Sequence, residues 1–183
     1  MIQTGKRNLE DFIKVYDDVF SQKECKELID AFKKGEQEFI AEDKRPQFYQ
    51  VTLDEMKSRE VVAKLTDSIN QYADDIPVLD YMFPAKYSYE MVRVKRYRHD
   101  HDDQFADHVD VVDHESAKRF LSFILYLNDV EEGGETYFIG IGKCIVPKRG
   151  RLVIFPPMWM FPHCGNETIS NTKYILSTYL HYV

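Results

Sequence analysis

The sequence predicts an α+β protein in which two N-terminal helices support an antiparallel sheet or small barrel. Three observations predict it. Capped helical patterns are confined to the first 84 residues. After Pro84 the chain turns to short segments rich in β-branched and aromatic residues, and turn chemistry separates those segments.

Taken in order, Met1-Ile2-Gln3-Thr4-Gly5-Lys6-Arg7-Asn8 has no apolar stretch of leader type. No run elsewhere approaches the roughly 20 apolar residues that span a bilayer. The expectation is a soluble, cytoplasmic protein without a membrane partner. Ser21-Gln22-Lys23-Glu24 reads as a capping box, in which the serine hydroxyl and the glutamate carboxylate satisfy free backbone N–H groups. Behind it Cys25, Leu28, Ile29 and Phe32 recur at helical spacing, and Gly35 is placed to end the run. A second helix is predicted from about Asp54 to Ala73, with Val61, Val62, Leu65, Ile69 and Tyr72 on one side and Asp74-Asp75-Ile76-Pro77 as its breaker.

The predicted strands are Tyr87–Tyr97, Phe120–Leu127, Thr136–Phe138, Lys143–Val146, Arg151–Phe155 and Tyr174–Tyr182. Asn128-Asp129, Gly133-Gly134, Pro147-Lys148-Arg149-Gly150 and Pro156-Pro157 mark the turns and loops between them. There is no internal repeat and no linker-like tract. One domain is therefore expected over residues 1–183, with residues 1–84 mainly helical support and 85–183 the core that carries the site.

Composition narrows the function classes. With 44% apolar and 14% aromatic residues, 8 Gly and 7 Pro, the chain is neither disordered nor collagen-like. Its 24 Lys and Arg stand against 31 Asp and Glu, a net charge of −7, the wrong sign for nucleic-acid attraction. The three cysteines, Cys25, Cys144 and Cys164, are odd in number and lack the spacing of a zinc site or a disulfide framework, which suits a reducing compartment.

His108-Val109-Asp110 sets an imidazole and a carboxylate two residues apart, and in an extended chain both then point to one face. They could grip one ion. A redox-active iron site needs two imidazoles and one carboxylate on one side of the metal, leaving the other positions open. His99, His101 and His114 share the acidic loop region of the pair, and His181 lies near a strand end. His163, which follows a separate strand, can approach from across the fold and is favoured as the third ligand. A single His-x-Asp in so acidic a chain is more often a solvated loop, and His101-Asp102-Asp103 offers a second instance that local spacing does not reject.

Residues 87–183 resemble the prolyl 4-hydroxylase-like branch of the 2-oxoglutarate/iron(II)-dependent dioxygenase superfamily. The resemblance is carried by His108-Val109-Asp110, by the run from Arg119 through Tyr126-Leu127-Asn128-Asp129 and Gly133-Gly134 to Phe138, by Val146–Phe155, by His163, and by Lys173-Tyr174. It implies a double-stranded β-helix (jelly-roll) barrel in which His108, Asp110 and His163 bind Fe(II). Lys173, ten positions beyond the distal histidine, would pair with the far carboxylate of 2-oxoglutarate. Ser122 matches a hydroxyl residue that touches 2-oxoglutarate, and Tyr97 a tyrosine that precedes the His-x-Asp pair. The stretch from Tyr97 to His108 departs from the family, being longer and lacking its usual glycine.

The expected chemistry is O₂-dependent hydroxylation of a C–H bond with formation of succinate and CO₂, ascorbate serving as reductant. A prolyl or other residue of a peptide or protein is the expected substrate. A free small molecule, a jelly roll that binds without turnover, and a hydrolytic zinc enzyme with the same ligands are the alternatives. The last gives Lys173 no task. Asp100, Asp102, Asp103, Asp107 and Asp113 would suit a basic partner.

Overall fold

The computed structural model describes residues 8–41, 46–76 and 82–183. Met1 to Arg7 and Pro77, on which two of the readings above rest, lie outside the described residues. Both predicted helices form. Helix α1 is Gln22–Lys34, where Ser21 and Glu24 close the capping box and Gly35 is the C-cap. Helix α2 is Glu55–Asp75, and the Asp54 carboxylate caps it by accepting from Lys57 N at 2.8 Å.

The strands are β1 (Lys14–Tyr16), β2 (Glu38–Ala41), β3 (Gln47–Thr52), β4 (Tyr87–Tyr89), β5 (Arg93–Tyr97), β6 (Phe105–His108), β7 (Arg119–Tyr126), β8 (Thr136–Phe138), β9 (Lys143–Ile145), β10 (Leu152–Phe155), β11 (His163–Gly165) and β12 (Lys173–Tyr182). They form two antiparallel sheets. The larger runs β1-β10-β7-β12-β5-β3-β2, with β4 also on β12, and the smaller runs β6-β11-β8-β9. Neither sheet closes on itself: β1 and β2 end one, β6 and β9 the other. The expected barrel is thus a pair of facing open sheets.

Two further departures from the sequence reading concern the strands. The predicted segment Tyr87–Tyr97 is broken into β4 and β5. The N-terminal portion is also more than helical support, since β1 adds to one end of the larger sheet and β2–β3 to the other. An isolated pairing of Gln47 with Gln104, at 2.9 and 3.0 Å, ties the start of β3 to the chain entering β6.

Alternation along the central strands sorts side chains into two cores. From β7, Leu121, Phe123 and Leu125 meet Cys25, Leu28 and Phe32 of α1 and Val61, Leu65, Ile69 and Tyr72 of α2, together with Leu176 and Leu180 of β12. The residues between them face the smaller sheet. There Tyr97, Tyr126, Val153, Phe155 and Ile175 pack with Phe138, Ile145 and Phe161. The helices hold one face of the larger sheet, and its other face is left to build a site.

Candidate metal centre and its pocket

His108 ends β6 and His163 begins β11, and the antiparallel register sets the two directly opposite each other. Their ring centroids lie 4.3 Å apart. Asp110 follows β6 in a loop, and its backbone N–H donates to Pro157 O at 3.1 Å, so the loop after β10 helps to place it. Its Oδ1 lies 3.5 Å from His108 Nε2 and its Oδ2 lies 3.9 Å from His163 Nε2. One ligand atom from each of the three residues falls within 4.8 Å of the others, and they are the grouping of this kind among the described residues.

Each imidazole has its other nitrogen against a backbone carbonyl: His108 Nδ1 faces Ala106 O at 2.8 Å and His163 Nδ1 faces Phe161 O at 3.0 Å. A carbonyl only accepts, so Nδ1 carries the proton and Nε2 is free to ligate. Burial lowers the His163 pKa, with His108 adding to the effect and Asp110 opposing it. Burial acts to raise the Asp110 carboxyl, but the hydrogen bond and charge of His108, the charge of His163 and the Tyr179 hydroxyl outweigh it and bring it to about 2. A divalent cation takes its ligands as carboxylate and neutral imidazole, so on binding, its own charge would replace the imidazolium charges opposite Asp110. Asp110 Oδ2 is buried without a hydrogen-bond partner among the described residues, an uncompensated acceptor that a cation would satisfy. The residues fit a metal.

Asp110 is held from behind. Tyr179 donates its hydroxyl to Oδ1 at 2.9 Å, and burial together with Asp110 pushes that phenol up, so it remains a donor. Arg119 Nη1 donates to the Asp110 carbonyl at 2.9 Å, its guanidinium lies 4.2 Å from the Tyr179 ring centroid, and its Nε and second Nη bind Glu90 at 2.8 and 3.0 Å.

The pocket around the trio is lined from the larger sheet by Lys95, Tyr97, Ser122, Tyr126, Lys173 and Tyr179, and from the smaller by Phe105, Thr136 and Gly165 among others. Lys173 is 2% exposed and pairs in register with Tyr97, whose ring centroid lies 4.6 Å from its ammonium. Lys173 Nζ donates to Gly134 O at 2.8 Å. That carbonyl is delivered by the Gly133-Gly134 turn. Both glycines have positive φ, and a Cβ on Gly133 would fall 2.5 Å from the Glu167 carbonyl. Burial lowers the Lys173 pKa to about 8, against the pull of Glu135. Ser122 and Tyr97 are buried on the same wall, 3% and 2% exposed.

Every site residue read from the sequence therefore lines one pocket. The competing motif does not: His101 Nδ1 pairs with Asp100 at 2.8 Å, and Asp103 is fully buried against the Arg98 guanidinium, 2.9 Å away. His99 bonds Thr172 at 3.1 Å, and His114 is exposed. His181 lies 3.9 Å from Glu90, away from the trio. Burial raises the Cys164 thiol, which removes the thiolate a nucleophile needs. Of the acids expected to meet a basic partner, Asp100 and Asp103 have these local bonds and Asp113 takes the Ser116 hydroxyl at 2.7 Å.

Sequence reasoning missed Lys95, Arg119, Tyr126 and Tyr179. Period-two spacing would have found three of them: Lys95 stands two before Tyr97, Tyr126 four after Ser122, and Tyr179 six after Lys173.

Comparison with known proteins bears on this arrangement. Residues 92–181 match the family described as the 2OG-Fe(II) oxygenase superfamily. Among solved structures, the viral collagen prolyl hydroxylase of Paramecium Bursaria Chlorella virus-1, in its 2OG complex, is similar with a TM-score of 0.75 and 26% identity over 94% of this chain and 97% of that one. A prolyl-4-hydroxylase from Pseudomonas putida gives 0.70 at 14% identity over 94% and 93%. A prolyl hydroxylase from Trichoplax adhaerens, in complex with a hypoxia inducible factor oxygen degradation domain peptide fragment, gives 0.69 at 13% identity over 93% and 84%. No curated protein sequence matches. The facing sheets are those of a double-stranded β-helix.

Proposed function

Since the chain belongs to the 2OG-Fe(II) oxygenase superfamily and is a 2-oxoglutarate-dependent dioxygenase using Fe(II) and 2-oxoglutarate, we propose that it hydroxylates a prolyl or other residue of a peptide or protein, with His108, Asp110 and His163 as the iron ligands and Lys173 as the anchor of the co-substrate. The observation that carries this reading is the shared pocket. An isolated metal trio also suits a hydrolytic zinc centre, but a fully buried lysine on the same wall calls for an anion from outside the protein.

Iron(II), when bound with 2-oxoglutarate and O₂, supplies the oxidising power for C–H hydroxylation, with succinate and CO₂ as the other products. The protein's share is binding and orientation. The two imidazoles present Nε2 because backbone carbonyls hold their Nδ1 protons, while Tyr179 fixes the Asp110 carboxylate and Arg119 its backbone carbonyl. Lys173 would meet the far carboxylate of the co-substrate, and the Tyr97 ring lies against its ammonium at 4.6 Å. Ser122, from the same wall, offers a hydroxyl to that ligand. The peptide class is favoured by the likeness to the Trichoplax enzyme, whose complex holds a peptide fragment.

Incubating the protein with Fe(II), 2-oxoglutarate, ascorbate and proline-containing peptides in air tests this. Mass spectrometry should show one added oxygen on a peptide and an equivalent of succinate. Succinate coupled only to a free small molecule would move the substrate out of the peptide class, and absence of succinate with every candidate would favour a binding protein.

A further inference from the structure

The pocket holds two lysines, and the proposed reading employs one. Lys95 lies two residues before Tyr97 on β5, so its side chain enters the pocket from the same face of the sheet. A strand lysine that serves solubility sits on an edge with its ammonium in water. Here β5 is interior, between β12 and β3, and Lys95 is 9% exposed. Its ammonium lies 4.8 Å from the Phe48 ring centroid and 5.6 Å from that of Phe105. Phe105 in turn stacks on His108, with centroids 3.6 Å apart and planes at 9°. Lys95 is thus held in the pocket of the metal trio, its ammonium against a pair of packed aromatic rings.

No carboxylate among the described residues comes within ion-pair distance of Lys95, and the acid that acts on it through space is Asp110, which the histidines and Tyr179 already engage. Lys173 differs, because its Nζ donates a hydrogen bond to Gly134 O. In the loaded pocket the charges of iron(II), Asp110, Lys173 and 2-oxoglutarate cancel. Lys95 then leaves one positive charge without a counter-charge in a buried space, an arrangement that costs several kcal/mol in general and is relieved by one further anion.

We infer that Lys95 is a subsite for a carboxylate on the substrate, carried close to the carbon that is hydroxylated. That carboxylate belongs either to an Asp or Glu next to the target residue or to the free end of a C-terminal residue. The inference rests on the oxygenase reading and narrows its substrate class. Phe105, which lines the pocket and has Phe48 packed behind it at 5.7 Å, supplies an apolar wall for the carbon chain that bears the carboxylate.

The test uses the full chain in two stages. Anaerobic titration with Fe(II) and 2-oxoglutarate, followed by the visible absorption of the chelate, is run on the parent, Lys95→Met and Lys95→Arg. Calorimetry on the anaerobic Fe(II)–2-oxoglutarate form then compares proline peptides in pairs: Glu against Gln beside the proline, and a C-terminal carboxylate against its amide. The parent should bind the acid of at least one pair about ten- to a hundredfold more tightly, and the pair that shows it identifies the source of the carboxylate. Lys95→Met should lose that difference while keeping the chelate band, and Lys95→Arg should keep both. Equal affinity for acid and amide, or binding of neither member of any pair, overturns the inference. So does a Lys95→Met loss confined to 2-oxoglutarate, which would make Lys95 a co-substrate residue. A parent protein with no chelate band overturns the oxygenase reading itself, and the inference falls with it.

Discussion

Tyr179 shows how much of the proposed metal site is built behind its ligands. Its hydroxyl is the donor on Asp110 Oδ1, and Tyr179→Phe removes that bond while keeping the ring that stacks on Arg119. Loss of such an outer partner typically costs about ten- to a hundredfold in metal affinity. The expected outcome is weaker Fe(II) binding in an anaerobic titration of a metal-free protein that still folds; unchanged Fe(II) affinity would show that Asp110 is held by Arg119 and Pro157 alone. Lys173→Ala should chiefly weaken 2-oxoglutarate binding, by about ten- to a hundredfold, with the Fe(II) affinity intact. At this scale the candidate ligands and Lys173, which the structure brings to one pocket, were legible because an ordered motif singles them out. Lys95 was passed over because no motif marks it, although it stands two residues before Tyr97 in a predicted strand, and the pleat turns it inward while Arg96 lies over Phe32 and Tyr49 on the opposite face.

The elements divide by how strongly their own chemistry defines them. Both helices were readable because caps and apolar spacing agree: Ser21 and Gly35 bound α1, and Asp54 caps α2. The long strands β7 and β12 were readable from their branched and aromatic runs, each found to within a residue or two. The strands missed are short and half polar. Phe105-Ala106-Asp107-His108 and His163-Cys164-Gly165 carry little strand propensity, and they pair because the site and the β3 edge hold them in place. The helix caps and the helix core are therefore testable apart from the site. Leu65 of α2 is fully buried under the larger sheet, and Leu65→Ala should cost about 2–5 kcal/mol, read by denaturant unfolding. Asp54→Ala should cost about 1 kcal/mol. Both variants should keep the Fe(II) affinity of the folded protein, and a loss there would show that the helix layer transmits strain to the pocket.

For the whole molecule, the division of labour is one helix-covered sheet face for stability and one pocket-facing sheet face for chemistry, and the buried lysines couple the two. In the ligand-free protein burial lowers Lys173 and Lys95 from the ordinary lysine value of 10.5 to about 8. Below that value both lysines are charged in the folded and unfolded chain alike, and the burial penalty is carried in full. As pH rises from about 8 towards 10.5 the folded protein sheds these protons first and the penalty fades. A dicarboxylate favours the charged form, so stabilisation by 2-oxoglutarate should be greatest below about pH 8 and decline above it, which thermal unfolding of the anaerobic Fe(II) form would show; a shift that does not fall with pH would mean that Lys173 does not carry the anchoring charge. The central claim, that His108, Asp110 and His163 assemble an iron and 2-oxoglutarate site, is tested most directly by titrating the metal-free protein anaerobically with Fe(II) and 2-oxoglutarate and recording the visible charge-transfer absorption, with Asp110→Ala alongside. The band should grow to one equivalent of iron in the parent and be absent from Asp110→Ala; a band of equal strength in both, or none in the parent, would contradict the claim.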